Sequence, residues 1–345
     1  MTSILEQEIR EQPQVLSRLI TSGTEKAQAI MEALQGKFDY ILIAARGSSD
    51  NAARYAQYLF QIANEVPVAL ATPSVFSLYH KAPKLEGALV IGISQSGQSP
   101  DIVSVLEEAR RQGRPSIAVT NDLQSPLAQT AQFTLDLETG PEQAIAATKT
   151  YTASLLAMAL LSNSLAGDQA AHAEVQQLPE QIEQAIALAL EQTCRMERYR
   201  YMQHGAVIGR GFNYSTAFEV ALKIKELTGI TTVPYSSADF LHGPVASLSR
   251  GYPVLAVAPQ GVMAEDMAAI IARAKAMEAE LVVISDLSEL LAAGQLALPL
   301  PMGVPEWLSP IVAVIPGQIL AWQIALSCGL DPDRPKGLSK VTETL

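Results

Sequence analysis

The sequence predicts an α/β protein built as two tandem copies of one parallel sheet, each flanked by helices. Three observations lead there. Short Val/Ile/Leu runs alternate with amphipathic stretches along the whole chain, as βαβ units do when a parallel sheet is covered on both faces. The pattern then recurs: Gly47 pairs with Gly211 and Asp122 with Asp286, both 164 positions apart and each after an equivalent apolar run, which marks an internal repeat. Finally, the run 89–93 stops in Ser94-Gln95-Ser96-Gly97-Gln98-Ser99, and a helical pattern starts at once.

Taken in order, the first copy has strands near 40–46, 67–70, 89–93, 116–120 and 133–137, with helices near 49–63, 74–80, 100–112 and 148–165. The second has strands near 206–210, 231–234, 253–258, 281–285 and 296–300, with helices near 214–228, 264–278 and 306–328. Residues 171–200 are rich in Glu and Gln and carry no strand signal; they read as one or two connecting helices. The expected division is therefore 1–170, 171–200 and 201–345.

A hydrophobic content of 48% with 17% charged residues suits a globular α/β chain. The net charge of −11, without a Lys/Arg cluster, excludes a nucleic-acid partner. The apolar stretches 153–161 and 182–190 are too short to span a membrane, and no basic-then-apolar leader opens the chain. Cys194 and Cys328 fall in different halves, as expected of a reduced, cytoplasmic protein. His80, His172, His204 and His242 show no metal-ligand spacing with each other or with the cysteines, so no metal is expected. Neither glycine-containing turn, 46–49 or 209–214, completes G-x-G-x-x-G, which removes a dinucleotide site.

The turn 94–99 lies where a parallel sheet binds ligands, beyond the carboxyl end of a strand. Hydroxyls, amides and unpaired first-turn N–H groups converge there, and the helix dipole favours an anion. With no lysine in the turn and no Walker sequence, a small phosphorylated metabolite fits better than a nucleotide. The second copy has Pro259-Gln260-Gly261-Val262-Met263 at this place. Its hydroxyls are gone, so one phosphate site per chain is expected.

In the stretch 218–227, Glu219, Lys223 and Glu226 share one narrow sector of a helix flanked by apolar residues. Held out of water, these groups would tune one another for acid–base chemistry; on the surface they would be an ordinary i,i+4 pair. His242, before Gly243-Pro244, is an imidazole that can reach a ligand or simply face solvent. Lys340 is either a solvated terminal lysine or an amine folded over a pocket.

Together the motifs 46–49, 94–97 and 146–149, the Glu219/Lys223/Glu226 helix, residues 242–244 and Lys340 give the chain a resemblance. It resembles the tandem sugar-isomerase (SIS) domain proteins, and most of all the isomerase half of the glucosamine-6-phosphate synthases, over nearly its whole length. The resemblance implies two flavodoxin-like SIS domains and a homodimer acting on a hexose 6-phosphate. Substrate and phosphate contacts would fall on Gly47, Ser48, Ser49, Ser94, Gln95, Ser96, Gln98, Ser99, Ala146 and Thr148. Glu226 would move a proton between C1 and C2, with Glu219 and Lys223 in support. His242, contributed across the dimer, would help open the ring, and Lys340 would form a Schiff base with the open ketose.

The departures are as telling. The chain opens where a glutaminase domain would already have ended, so no glutaminase activity is expected. Gln98-Ser99 stands where the synthases resemble Glu-Thr, and Ala147 replaces a serine. Among SIS proteins without glutaminase, the resemblance favours a glucosamine-6-phosphate deaminase, releasing fructose 6-phosphate and ammonia without a cofactor. A fructosamine 6-phosphate deglycase needs the same base and a larger pocket near the amine. A non-catalytic phosphosugar-binding regulator would usually add a helix-turn-helix segment, for which residues 1–36 are too few and too acidic, and would not need Glu226.

Overall fold

The computed structural model describes residues 2–340. The residues fall into two compact units, neither of them one continuous stretch. The first holds Gln14–Glu142 and Lys149–Gln176, with Ser339 and Lys340 of the tail; the second holds 2–13, Gln143–Thr148 and Gln177–Leu338.

In the first unit, β1 (Tyr40–Ala44), β2 (Val68–Leu70), β3 (Ala88–Ile93), β4 (Ser116–Thr120) and β5 (Phe133–Asp136) form one sheet in the order β2-β1-β3-β4-β5. All pairings are parallel. Every residue of β3 and β4 is buried, which is why β3 and the centre of β4 carry consecutive apolar residues rather than alternating ones. The chain leaves β1 outward to β2 and returns on the other side to β3. That reversal opens a crevice at the carboxyl ends of β1 and β3. Ala44 pairs with Gly92, so the turns that follow the two strands emerge at one edge.

The helix Lys149–Ala166 is buried nearly all round and packs against the helix Ser48–Asn64. Its Ser162 exchanges hydrogen bonds with Asn64: the hydroxyl donates to Asn64 Oδ1 (2.6 Å), and Asn64 Nδ2 donates to the Ser162 carbonyl (3.0 Å).

The second unit repeats the design. Its strands are β6 (His204–Gly209), β7 (Thr231–Ser236), β8 (Pro253–Val257), β9 (Glu280–Ser285) and β10 (Leu296–Pro299), in the order β7-β6-β8-β9-β10 and all parallel. The two sheets thus share one strand order, as the sequence repeat requires. Helix Tyr214–Thr228 lies against helix Ser309–Ser327. A Cβ on Gly317 would stand 2.3 Å from Val220 Cγ2, so only glycine permits this approach. Among the described residues, 306–327 is the one stretch of helix long and apolar enough to cross a membrane, yet 94% of its window is buried inside the protein. It is the core helix of this unit.

Strand positions agree with expectation to within a few residues, and helix Tyr214–Thr228 agrees at both ends. The helix expected at 74–80 is a shorter Pro73–Ser77, followed by a left-handed residue, His80 (φ 52°), that a helix cannot contain. Residues 171–200 break into more pieces than expected: Gln169–Val175, Leu178–Leu190, Thr193–Met196 and a 3₁₀ turn, Glu197–Tyr201. Asp168 starts the first by accepting from the amides of Ala170 and Ala171 (2.8 and 3.2 Å). Pro179, whose missing N–H costs nothing in a first turn, opens the second.

Candidate functional site

The turn 94–99 is held from beneath. Gly97 has φ 62°, and a Cβ there would meet Ser125 Oγ at 2.1 Å, so glycine alone fits. The Gly97 carbonyl accepts from the Leu127 amide (3.1 Å), and the Gln95 carbonyl accepts from the Asn121 amide (3.1 Å) and Thr120 Oγ1 (3.3 Å). The Ser94 and Ser96 hydroxyls accept from the Gly97 and Gln98 amides (3.1 and 3.3 Å). Among the described residues, the amides of Gln95, Ser96 and Ser99 meet no protein acceptor. Ser94 is buried, Gln95, Ser96 and Ser99 are half-buried, and Gln98 is exposed. Gly47, Ser48 and Ser49, at the end of the paired strand β1, share this edge.

Arg46 also leaves this edge. Its Nε donates to Asp101 Oδ2 (2.8 Å), in the first turn of helix Pro100–Arg111. Asp101 is fully buried, and its other oxygen accepts from the Ile102 amide (2.9 Å). A buried carboxylate needs such partners.

The matching crevice of the second unit is closed to anions by the chain itself. The Val262 amide donates to Glu306 Oε2 (3.0 Å), and the Gln260 amide donates to Asp286 Oδ1 (2.7 Å). The loop without hydroxyls therefore carries two of the protein's own carboxylates where a phosphate would have to sit.

The Glu219, Lys223 and Glu226 sector of helix Tyr214–Thr228 is a charged cluster. Lys223 Nζ lies 3.3 Å from Glu219 Oε1 and 2.6 Å from Glu226 Oε2. Exposure rises along the row, with side chains 0% exposed at Glu219, 1% at Lys223 and 24% at Glu226. The surface alternative left open by the sequence is thus excluded. The arrangement is a cation pinned between two carboxylates, with only the outer one meeting solvent. His242 follows the short helix Ser237–Leu241 in the same unit; it is exposed, and among the described residues its ring has no hydrogen-bond partner. Ala146 and Thr148 are buried in this unit.

Lys340 lies in the first unit, with its Nζ 2.6 Å from Oε2 of Glu142. Glu142 is fully buried there and also accepts from the Thr150 amide (3.1 Å) and hydroxyl (2.8 Å). Lys149, itself buried, donates to the Pro141 carbonyl (2.9 Å) and fixes the turn that carries Glu142. Among the described residues no three His, Cys, Asp or Glu side chains are gathered to hold a metal ion.

The model of the SIS domain matches residues 37–164 and 203–326, one copy on each sheet. The chain belongs to the SIS domain family. The glutamine–fructose-6-phosphate aminotransferases (isomerizing) of Pyrococcus horikoshii and Gloeobacter violaceus are 33% and 34% identical to it. Each alignment covers 96% of this SIS chain, which spans about half of the relatives' length (56% and 57%). Among solved structures, a candidate phosphosugar isomerase from Silicibacter pomeroyi is 31% identical with a TM-score of 0.87, over 96% of this chain and 100% of the other. The glucosamine-6-phosphate deaminase of Thermotoga maritima shares the fold, with a TM-score of 0.81 and 23% identity over 99% and 100% of the two chains.

Three residues at these places were not singled out from sequence. Asp101 is an acidic residue in a helix first turn, an ordinary place for one, and Arg46 stands out only as part of the 46–49 motif. Glu142 lies in an aperiodic stretch, and nothing local marks it as buried.

Proposed function

We propose that this SIS protein is a cytoplasmic, homodimeric phosphosugar aldose–ketose isomerase of the deaminase type, converting glucosamine 6-phosphate to fructose 6-phosphate and ammonia. The observation that carries the reading is the graded Glu219–Lys223–Glu226 row: a buried cation holds an outer carboxylate that remains open to solvent. A positioned carboxylate suits proton abstraction next to a carbonyl. The names of the Pyrococcus and Thermotoga proteins support the substrate class, because both concern amino-sugar or keto-sugar 6-phosphates.

In this reading the phosphate rests on Ser49 and on Ser94, Gln95, Ser96 and Ser99, with Gly47, Ser48, Gln98, Ala146 and Thr148 completing the substrate contacts. His242, supplied by the other subunit, helps the ring open. Glu226 takes the proton from C2 of the open aldose and returns it to C1. The amine carbon becomes a C2 imine, and water converts the imine to the ketone with release of ammonia. Lys340, held by Glu142, is the amine that can form a Schiff base with the open ketose.

Glu226→Gln tests the assignment. It keeps the shape and removes the base, so turnover should vanish while sugar-phosphate binding persists; unchanged turnover overturns it. Mixing inactive His242→Ala and inactive Glu226→Gln chains should recover part of the activity if His242 serves the other subunit. No recovery places both residues in one chain's site.

A further inference from the structure

We propose that Arg46 supplies the cation of the phosphate site and selects a doubly charged phosphomonoester over singly charged or neutral sugars. The inference rests on the phosphosugar reading above and deepens it. The 94–99 turn has hydroxyls and amides but no basic residue of its own, so nothing in it distinguishes a dianion from a monoanion by charge. Arg46 lies across the crevice at the end of β1 and is the basic side chain tied to the helix that the turn begins.

The manner of tethering is what points to a ligand. A guanidinium has five N–H donors in a planar fork. Asp101 engages Arg46 through Nε alone (2.8 Å), and among the described residues the guanidinium has no other protein partner. The two terminal amino groups, four N–H donors, are left in a side chain that is 49% exposed. Asp101 cannot drift, being fully buried with its second oxygen on the Ile102 amide. A fixed fork with its terminal edge unspent is the geometry that grips a phosphate bidentately.

The second copy provides an internal comparison. Arg210 occupies the equivalent position, and Asp266 stands in the first turn of the equivalent helix Ala264–Ala276. There the guanidinium donates through a terminal nitrogen to Ser237 Oγ (3.3 Å), and Ser237 is hydrogen-bonded to Asp266. The terminal edge is turned onto the protein in the copy whose loop is occupied by Glu306 and Asp286. It is turned free in the copy whose loop keeps its hydroxyls.

The test uses the full chain and compares glucosamine 6-phosphate with glucosamine 6-sulfate, a near-isostere with one negative charge fewer. Affinities are measured by calorimetry at pH 7.5, with thermal midpoints alongside. The parent should prefer the phosphate. Arg46→Gln should weaken phosphate binding about 10- to 100-fold and sulfate binding far less, so that the preference collapses; Arg46→Lys should restore part of it. For turnover, the loss should appear in KM more than in kcat. Equal losses for both sugars together with a lowered midpoint would make Arg46 a structural prop and overturn the inference, as would a full phosphate preference in Arg46→Gln. The pair Ser94→Ala/Ser96→Ala separates the underlying reading: if it leaves phosphate binding intact, the phosphate site itself is misplaced. If it weakens binding while Arg46→Gln does not, only the role of Arg46 fails.

Discussion

Replacing Lys223 by methionine tests the charged row most severely. Methionine is similar in length and apolar, so it fills the space and removes only the cation. Glu219, fully buried, would then lose the ammonium 3.3 Å away, and Glu226 would lose the one at 2.6 Å. Breaking a buried pair from one side costs about 3–5 kcal/mol, because a charge is left without its counterpart. At roughly 2–4 °C per kcal/mol for a domain of this class, the melting midpoint should fall by about 6–20 °C. The companion variant Lys223→Met/Glu219→Gln removes the stranded charge as well, and should recover much of the loss in stability while restoring no turnover. Scanning calorimetry at pH 7 reads both variants. A single variant within about 1 kcal/mol of the parent, an ordinary surface-pair result, would refute the reasoning. So would a double variant no more stable than the single one.

Gly97→Ala should cost about 1–3 kcal/mol for a left-handed non-glycine residue and disturb Ser125, so sugar-phosphate affinity should fall further than in Ser94→Ala; unaltered affinity by calorimetry would contradict the account of the turn. Glu142→Gln removes the carboxylate that grips Lys340, and trypsin, which must draw a lysine into its pocket, should then cleave after Lys340 faster; an unchanged rate by mass spectrometry would mean the ion pair does not restrain the tail. Burial, with the Glu280 carboxylate that accepts from its hydroxyl (3.0 Å), pushes the Tyr199 phenol above its ordinary value of 10.0. The folded state therefore holds that proton more tightly, and its contribution is intact below pH 10 and lost as pH rises beyond it. In alkaline denaturation Tyr199→Phe should flatten part of this decline, and superimposable curves would remove Tyr199 as a cause.

What could be read in the sequence follows the range of the forces involved. Buried parallel strands must be apolar on both faces, so β3 and β4 announce themselves. The 94–99 turn is legible because its hydroxyls are consecutive, and the Glu219, Lys223 and Glu226 row because helical spacing is local. Burial of that row was undecidable locally, since it depends on the elements packed on helix Tyr214–Thr228, helix Ser309–Ser327 and strand β7 among them. The Arg46–Asp101 and Glu142–Lys340 pairs join residues 55 and 198 positions apart, and no periodicity links such partners. The loss of phosphate-binding capacity in the second copy was visible as missing hydroxyls. Its replacement by Glu306 and Asp286 was not, because both carboxylates come from other loops.

The central claim is met most directly by following ammonia and fructose 6-phosphate release from glucosamine 6-phosphate, with no nucleotide or metal added. The account predicts the two products in equal amounts, with release abolished in Glu226→Gln. Tight binding of the sugar phosphate with neither product formed would contradict the deaminase assignment and transfer the same base to a conjugated fructosamine 6-phosphate.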